Sequence, residues 1–323
     1  MSRKGIIIVL TTVLIWGTAE AGPGVREAFD LRMEGDADAA VAALEKDFAE
    51  YPGDPAAFFE MARVRCYLFD FDACQAAIDR AVDLEPGNAR YHYISGVFSI
   101  YAVSDAAHHQ DEEKMKELGE RALAELEAAV EADPDFHEAR YLLVQQLTET
   151  APELGLDSSG REEHVEILEE KDPLWGTKAR CCLLDDPGKR EMWTRLMEER
   201  GDEARVCYEA AEGFLDLNDV YKAAKCLDKA LELDGDRYHL LLRLGLGYSM
   251  KKDWKRATEA GERYLGFDAP RPLQAWTHFY LGKIKQQQGD QEGGRDLIAK
   301  AEQLDSHVWK TFMPPPEILF EVP

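Results

Sequence analysis

Basic residues are scarce in this chain: 38 Lys and Arg stand against 63 Asp and Glu, a net charge of −25. A surface that neutralises nucleic-acid phosphates needs the opposite balance, so no nucleic-acid partner is expected. Adhesion to anionic lipid is disfavoured for the same reason. Long apolar runs are also few. After Trp16 no stretch approaches the ~20 apolar residues that a membrane-spanning helix needs. No C-x-x-C occurs among the cysteines, which removes zinc ribbons and thioredoxin-type redox chemistry. Nucleophile-elbow, H-E-x-x-H, phosphate-loop and dinucleotide motifs are missing as well. The sequence therefore predicts neither an enzyme nor a bound cofactor. Strand signals are weak throughout, and the expectation is an all-α chain.

The first segment is built for targeting. Met1-Ser-Arg-Lys4 is followed by an apolar stretch to Trp16 and then by Ala19-Glu20-Ala21. A short positive start, an apolar centre and an A-x-A site predict a signal peptide over residues 1–21, with a mature chain from Gly22. Export to the periplasm or the outside follows, with no stable membrane insertion after cleavage. An uncleaved anchor is the alternative, for which the apolar stretch is short.

The rest of the chain repeats itself. Phe58-Phe-Glu-Met-Ala62 leads to Cys74-Gln-Ala-Ala-Ile78 and on to Ala81 and Pro86, while Leu241-Leu-Arg-Leu244-Gly245 leads to Trp254-Lys-Arg-Ala257. Ala223-Ala-Lys-Cys-Leu227 runs to Ala230, and Tyr280-Leu281-Gly282 is followed by Leu297-Ile298 and Ala301. Pro52 to Pro86 and Ala223 to Ala257 are each 34 residues apart. Small residues recur where two helices must cross closely: Ala62, Cys74 and Ala81; Gly96, Ala122 and Ala129; Ala211, Ala223 and Ala230; Gly245 and Ala257; Gly282, Gly294 and Ala301. A fixed stride of this length is the mark of stacked helical hairpins.

These units resemble tetratricopeptide repeats. The resemblance covers nearly all of the chain after residue 21 and implies an α-solenoid of helix-turn-helix units, each burying its apolar face against its neighbours. Residues 22–173 divide into N-terminal repeats with extra residues near Ser104–Lys116 and a stretched loop from Ala151 to Gly160. Residues 174–203 read as a degenerate helical pair, and residues 204–306 as C-terminal repeats. The tail, 307–323, contains Met313-Pro-Pro-Pro316, which cannot continue a helix.

The family resemblance also implies a binding face. First-helix positions that point into the groove carry Phe59, Tyr93, Tyr141, Tyr208 and Phe279, with Leu242 as the exception. The neighbouring position gives Arg63, Gln145, Glu212 and Lys283, and Tyr67, Tyr101 and Trp276 lie close by. A ladder of rings offers contact area at low entropic cost. The expectation is a non-enzymatic scaffold of the cell envelope that binds a protein or peptide along this trough. The terminal-carboxylate clamp of some relatives is not expected, because aromatic rings stand where its lysine belongs. An exported solute-binding accessory of a transport system is the alternative.

Charge is uneven. Residues 22–250 hold 25 basic against 51 acidic side chains, which suits a basic partner as well as plain solubility. His108, His109, Asp111, Glu112 and Glu113 form the densest group of metal-ligand types, and it reads as a solvated linker. Of the six cysteines, Cys207 with Cys226 and Cys66 with Cys74 fall on facing helices. Each pair is either a disulfide or two small buried thiols, and the sequence leaves this open.

Overall fold

The computed structural model describes residues 23–308. The expected signal peptide and most of the proline-containing tail lie outside the described residues. Those described form helices in paired succession, with no strand among them. The first helices of the pairs are α1 (Pro23–Met33), α3 (Pro55–Tyr67), α5 (Ala89–His108), α7 (His137–Thr148), α10 (Pro173–Cys182), α12 (Ala204–Asp216), α14 (Leu240–Met250) and α16 (Arg271–Gln287). Their antiparallel partners are α2 (Ala37–Glu50), α4 (Phe71–Leu84), α6 (Glu112–Ala132), α9 (Arg161–Lys171), α11 (Asp186–Arg200), α13 (Val220–Leu233), α15 (Trp254–Tyr264) and α17 (Gln291–Leu304). A single turn, α8 (Thr150–Glu153), interrupts the fourth pair. The chain is an all-α solenoid of helical hairpins. No helix among the described residues is long and apolar enough to cross a membrane.

The small residues hold the hairpins tight. A Cβ on Gly282 would lie 2.8 Å from the Gly294 carbonyl of the facing helix, and one on Gly96 would lie 2.9 Å from Leu126 and 3.3 Å from the Ala122 carbonyl. Larger side chains would force the backbones apart, so the 34-residue recurrence of Gly, Ala and Cys follows from helix-crossing geometry.

One turn design joins the two helices of six hairpins. A residue with positive φ is followed at once by aspartate: Gly35-Asp36, Phe69-Asp70, Gln110-Asp111, Asn218-Asp219, Lys252-Asp253 and Gly289-Asp290. In each, the aspartate amide donates back to the carbonyl five residues earlier, as Asp70 does to Arg65 at 3.0 Å and Asp219 to Phe214 at 2.8 Å. That is the Schellman closure of the first helix. The same aspartate's carboxylate then accepts an amide at the start of the second helix, from Ala73 for Asp70 and from Lys222 for Asp219. One residue both ends a helix and begins the next, which keeps the turn short.

Two loops differ from expectation. The extra residues near Ser104–Lys116 are mostly helical: α5 runs to His108, α6 starts at Glu112, and Gln110 supplies the turn between them. Ala102 and Ala106 are buried on the lengthened α5, so the extension packs rather than projecting as a loop. Farther along, the stretch after α8 rests on α6, where a Cβ on Gly119 would meet Leu154 at 2.5 Å. His108 and His109 are both exposed.

The array closes on itself. The Tyr67 hydroxyl of α3 donates to the carboxylate of Asp305, 238 residues away, just past α17. Gly35, in the first hairpin turn at φ 82°, lies against the Leu304 carbonyl, and the His307 ring reaches Asp38 at 3.6 Å. Behind this seam Glu60 takes Arg32 Nε at 2.8 Å and Arg63 Nη1 at 3.4 Å. All three charged side chains are essentially without solvent contact. First and last hairpins thus cap each other, where an open array needs polar capping units.

All six cysteines are free thiols. Cys66 and Cys74 are both buried within the second hairpin. The Cys207 thiol donates to the Gly201 carbonyl at 3.3 Å.

Candidate functional site

The ring ladder is largely absorbed by packing. Phe59, Arg63, Tyr67, Tyr93 and Trp276 are buried and offer no surface to a partner. Each is covered by a neighbouring side chain. Phe59 packs on Tyr91 at 5.1 Å between centroids, with the Arg63 and Arg90 guanidiniums over its ring. Tyr93 leans on Phe136 and donates to Glu138 at 3.0 Å, while Trp276 stacks on Tyr280 at 5.3 Å. Arg63 and Tyr67 belong to the seam. Phe59 meets a ring of the next first helix, Tyr93 a ring just before the next one, and Trp276 a ring one turn along its own helix, and in each case apolar area leaves water.

Tyr101, Tyr208 and Phe279 remain half-buried, and Lys283 is exposed with its ammonium 5.0 Å from the Phe279 ring. These four are spread along the array, on α5, α12 and α16. Tyr141, Gln145 and Glu212 are different, because the fold brings them to one place.

They line a cavity of about 280 Å³ on the face carried by α7, α10 and α12, with α11 as its remaining wall. Glu149, Lys178, Cys181, Cys182, Lys189, Trp193, Glu209, Gly213 and Asp216 complete the lining. At the centre is Lys178, buried, with its ammonium 2.6 Å from Glu209 and 3.0 Å from Glu212. The same ammonium stands 4.6 Å from the Tyr141 ring centroid and 4.7 Å from that of Trp175. Arg243 closes the far side, bonding Glu212 at 2.9 Å and Asp216 at 2.6 Å.

These charges set the proton affinities. Burial works against the Lys178 ammonium, but Glu212 and Glu209 outweigh it and hold its pKa above the usual lysine value. Burial likewise opposes the Glu212 carboxylate, and Lys178 with Arg243 overcomes it, so its pKa lies below the usual range. Burial pushes the Cys181 thiol up to about 12 and the Cys182 thiol up to about 11. At neutral pH both are protonated and poor nucleophiles.

Sequence reasoning missed most of this lining. Lys178 was hidden because residues 174–203 do not match the repeat pattern, yet it stands 34 residues before Glu212 and 31 before Glu209. The stride itself places Lys178 beside Glu212 on the adjacent first helix. Glu209, Glu212 and Asp216 occupy positions i, i+3 and i+7 of α12, one helical face.

Gly213 is required by Trp193. A Cβ there would sit 2.1 Å from the indole Nε1 and 2.3 Å from Cε2. The indole is buried and cannot swing into open solvent without losing its packing. Gly213→Ala is expected to cost about 1–3 kcal/mol through overpacking and to shift the tryptophan emission. Unchanged stability and emission would show that the cavity wall yields freely.

No family model matches the chain, and no curated protein matches it. Its fold is similar to several solved helical-repeat structures. One is a thermophilic tetratricopeptide protein of Thermus thermophilus, 19% identical over 69% of this chain and 96% of that one, with a TM-score of 0.46. Another is a tetratricopeptide protein of Parabacteroides merdae, 13% identical over 89% and 95% of the two chains, with a TM-score of 0.41. A third is YrrB, a tetratricopeptide protein with an unusual peptide-binding site, 16% identical over 71% and 91%, with a TM-score of 0.33.

Proposed function

We propose that the protein is a non-enzymatic interaction scaffold that holds a segment of a partner protein against α7, α10 and α12, with a basic side chain of that segment seated in the cavity. The observation that carries this reading is the cavity's composition. Two aromatic rings, Tyr141 and Trp193, suit the apolar stem of a lysine or arginine. Four carboxylates, Glu149, Glu209, Glu212 and Asp216, outnumber the lining cations Lys178 and Lys189. Glu149 is exposed at the cavity edge, with Gln145 as its hydrogen-bond partner at 3.4 Å. The acidity of the whole chain steers a basic partner in the same direction. The leader-like start, residues 1–21, supports action in the cell envelope or outside the cell.

The test begins with affinity capture from the native envelope and mapping of the bound segment. Tyr141→Ala combined with Glu149→Gln should weaken a synthetic peptide of that segment at least tenfold, about 1.4 kcal/mol. Replacing the peptide's basic residue with norleucine should do the same. Binding that survives both changes would move the interface elsewhere. A second reading, a small-solute site, draws on the cavity's volume, which is close to the lower end for small-molecule pockets. A solute that raises the melting temperature with no peptide present would favour it.

A further inference from the structure

Most of the charges around the cavity satisfy one another. Lys178 is held by Glu209 and Glu212, and Arg243 by Glu212 and Asp216. Glu149 and Lys189 line the same cavity and stay outside this network. Glu149 is exposed, and its side-chain partner is the neutral amide of Gln145 at 3.4 Å. Lys189 is half-buried and has no carboxylate within ion-pair distance among the described residues. The two opposite charges therefore share a cavity without meeting each other.

Each stands at a helix end that does not favour its sign. Glu149 closes the last turn of α7, the negative pole, and Lys189 lies in the first turn of α11, the positive pole. The acids that begin α11, Asp185 and Asp186, are exposed, and Asp185 accepts the Gly188 amide at 3.0 Å. A carboxylate added to a negative pole and an ammonium added to a positive one give the cavity two edges of opposite potential. Cys182, also in the lining, feels both: burial raises its thiol pKa most, Glu149 adds to the rise, and Lys189 opposes it.

We propose that the occupant of this cavity is dipolar: besides the basic group that faces Glu149, it presents a carboxylate to the ammonium of Lys189. In a partner segment this is a lysine or arginine with an aspartate or glutamate close by in its sequence. The inference rests on reading the cavity as the docking point of a basic side chain, and it narrows that reading. The acidity of the whole chain draws any polybasic segment without distinction. A second positive charge brought into the cavity meets Lys189 and is repelled, whereas a carboxylate in the same place is attracted. Lys189 thereby supplies selectivity that net charge cannot, by disfavouring the wrong partner as well as favouring the right one.

The experiment uses the full chain and matched pairs of short peptides, acetylated and amidated at their ends. Each peptide carries one arginine and, at a spacing varied from pair to pair, either glutamate or glutamine. Binding is followed by NMR through the indole signal of Trp193, which lines the cavity. In the natural sequence the glutamate member of the best pair should bind about fivefold more tightly than its glutamine match, the effect of one partly screened ion pair. Lys189→Gln should bring the two members level. Lys189→Glu should reverse the preference, so that a peptide with lysine in place of the glutamate binds more tightly than the glutamate one. Equal binding within every pair by the natural sequence, or a preference that persists in Lys189→Gln, overturns the dipolar occupant and leaves the docking of a basic side chain standing. Failure of every peptide to bind overturns both.

Discussion

Glu60→Ala should destabilise the protein by about 3–5 kcal/mol, the cost of taking a shared carboxylate away from two buried guanidiniums. Two guanidiniums converge on this carboxylate, Arg32 from α1 at 2.8 Å and Arg63 from its own helix at 3.4 Å. None of the three side chains meets solvent appreciably, so water cannot replace the lost partner. Against a typical total stability of roughly 5–15 kcal/mol, such a loss is large. Calorimetry should show a melting temperature lower by roughly 10 °C. Glu60→Gln, which keeps the shape and loses the charge, should recover only a small part. Replacing Arg32, Glu60 and Arg63 together with Met, Leu and Met should cost less than Glu60→Ala alone, because the two guanidiniums go together with the carboxylate they share. If the triple variant is the least stable of the set, the network is worth more than its desolvation.

Lys178→Met should be comparably damaging, again by about 3–5 kcal/mol, and its effect should be confined to the middle of the array. Glu209 and Glu212 would then face each other without the ammonium that now stands 2.6 Å and 3.0 Å from them. Tyr141 and Trp175 would lose their shared cation as well. Adding Glu209→Leu to Lys178→Met should restore part of the loss, a coupling that a double-mutant cycle measures. Additive effects would mean that the two residues act independently. The pH dependence has a defined sign. The folded-state pKa of Glu212 lies below its unfolded value, so its contribution is complete above the ordinary glutamate range near about 4.3 and is lost as pH falls through the folded value. Lys178, with its pKa raised in the fold, contributes fully below the ordinary lysine value near about 10.4 and loses that contribution as pH rises through the folded value. Urea titrations along the pH range should therefore separate natural protein from Lys178→Met fully at neutral pH, with the difference shrinking toward strong acid and strong alkali.

The helical hairpins were legible in the sequence because close crossing tolerates so few residue types. Gly96, Gly282 and Gly294 abut facing backbone or side chains at distances that leave no room for a methyl group, and that demand recurs with the stride. The turns were also encoded, in the pairing of a left-handed residue with a following aspartate, although Phe69, Gln110 and Lys252 show why composition alone did not reveal them: none is a usual left-handed residue. The fate of the rings was not legible. Whether Phe59, Tyr93 or Trp276 meets solvent depends on Tyr91, Phe136 and Tyr280 lying over it, and repeat position says nothing of what a neighbour lays on top. A small part of the cavity was legible: Tyr141, Gln145 and Glu212 came from repeat positions, whereas Lys178 came from a unit whose pattern is eroded. The seam left no local trace, since Tyr67 and Asp305 are joined by the curvature accumulated over the whole array.

That junction has a consequence for synthesis. A linear stack of hairpins can settle one unit at a time behind the ribosome, each new pair docking on the last. Here Tyr67 waits for Asp305, and the charges of Arg32, Glu60 and Arg63 wait beside it, until nearly the entire polypeptide has emerged. A chain interrupted before Asp305 would carry well-formed hairpins and an unshielded ionic edge, a difference that a protease samples directly.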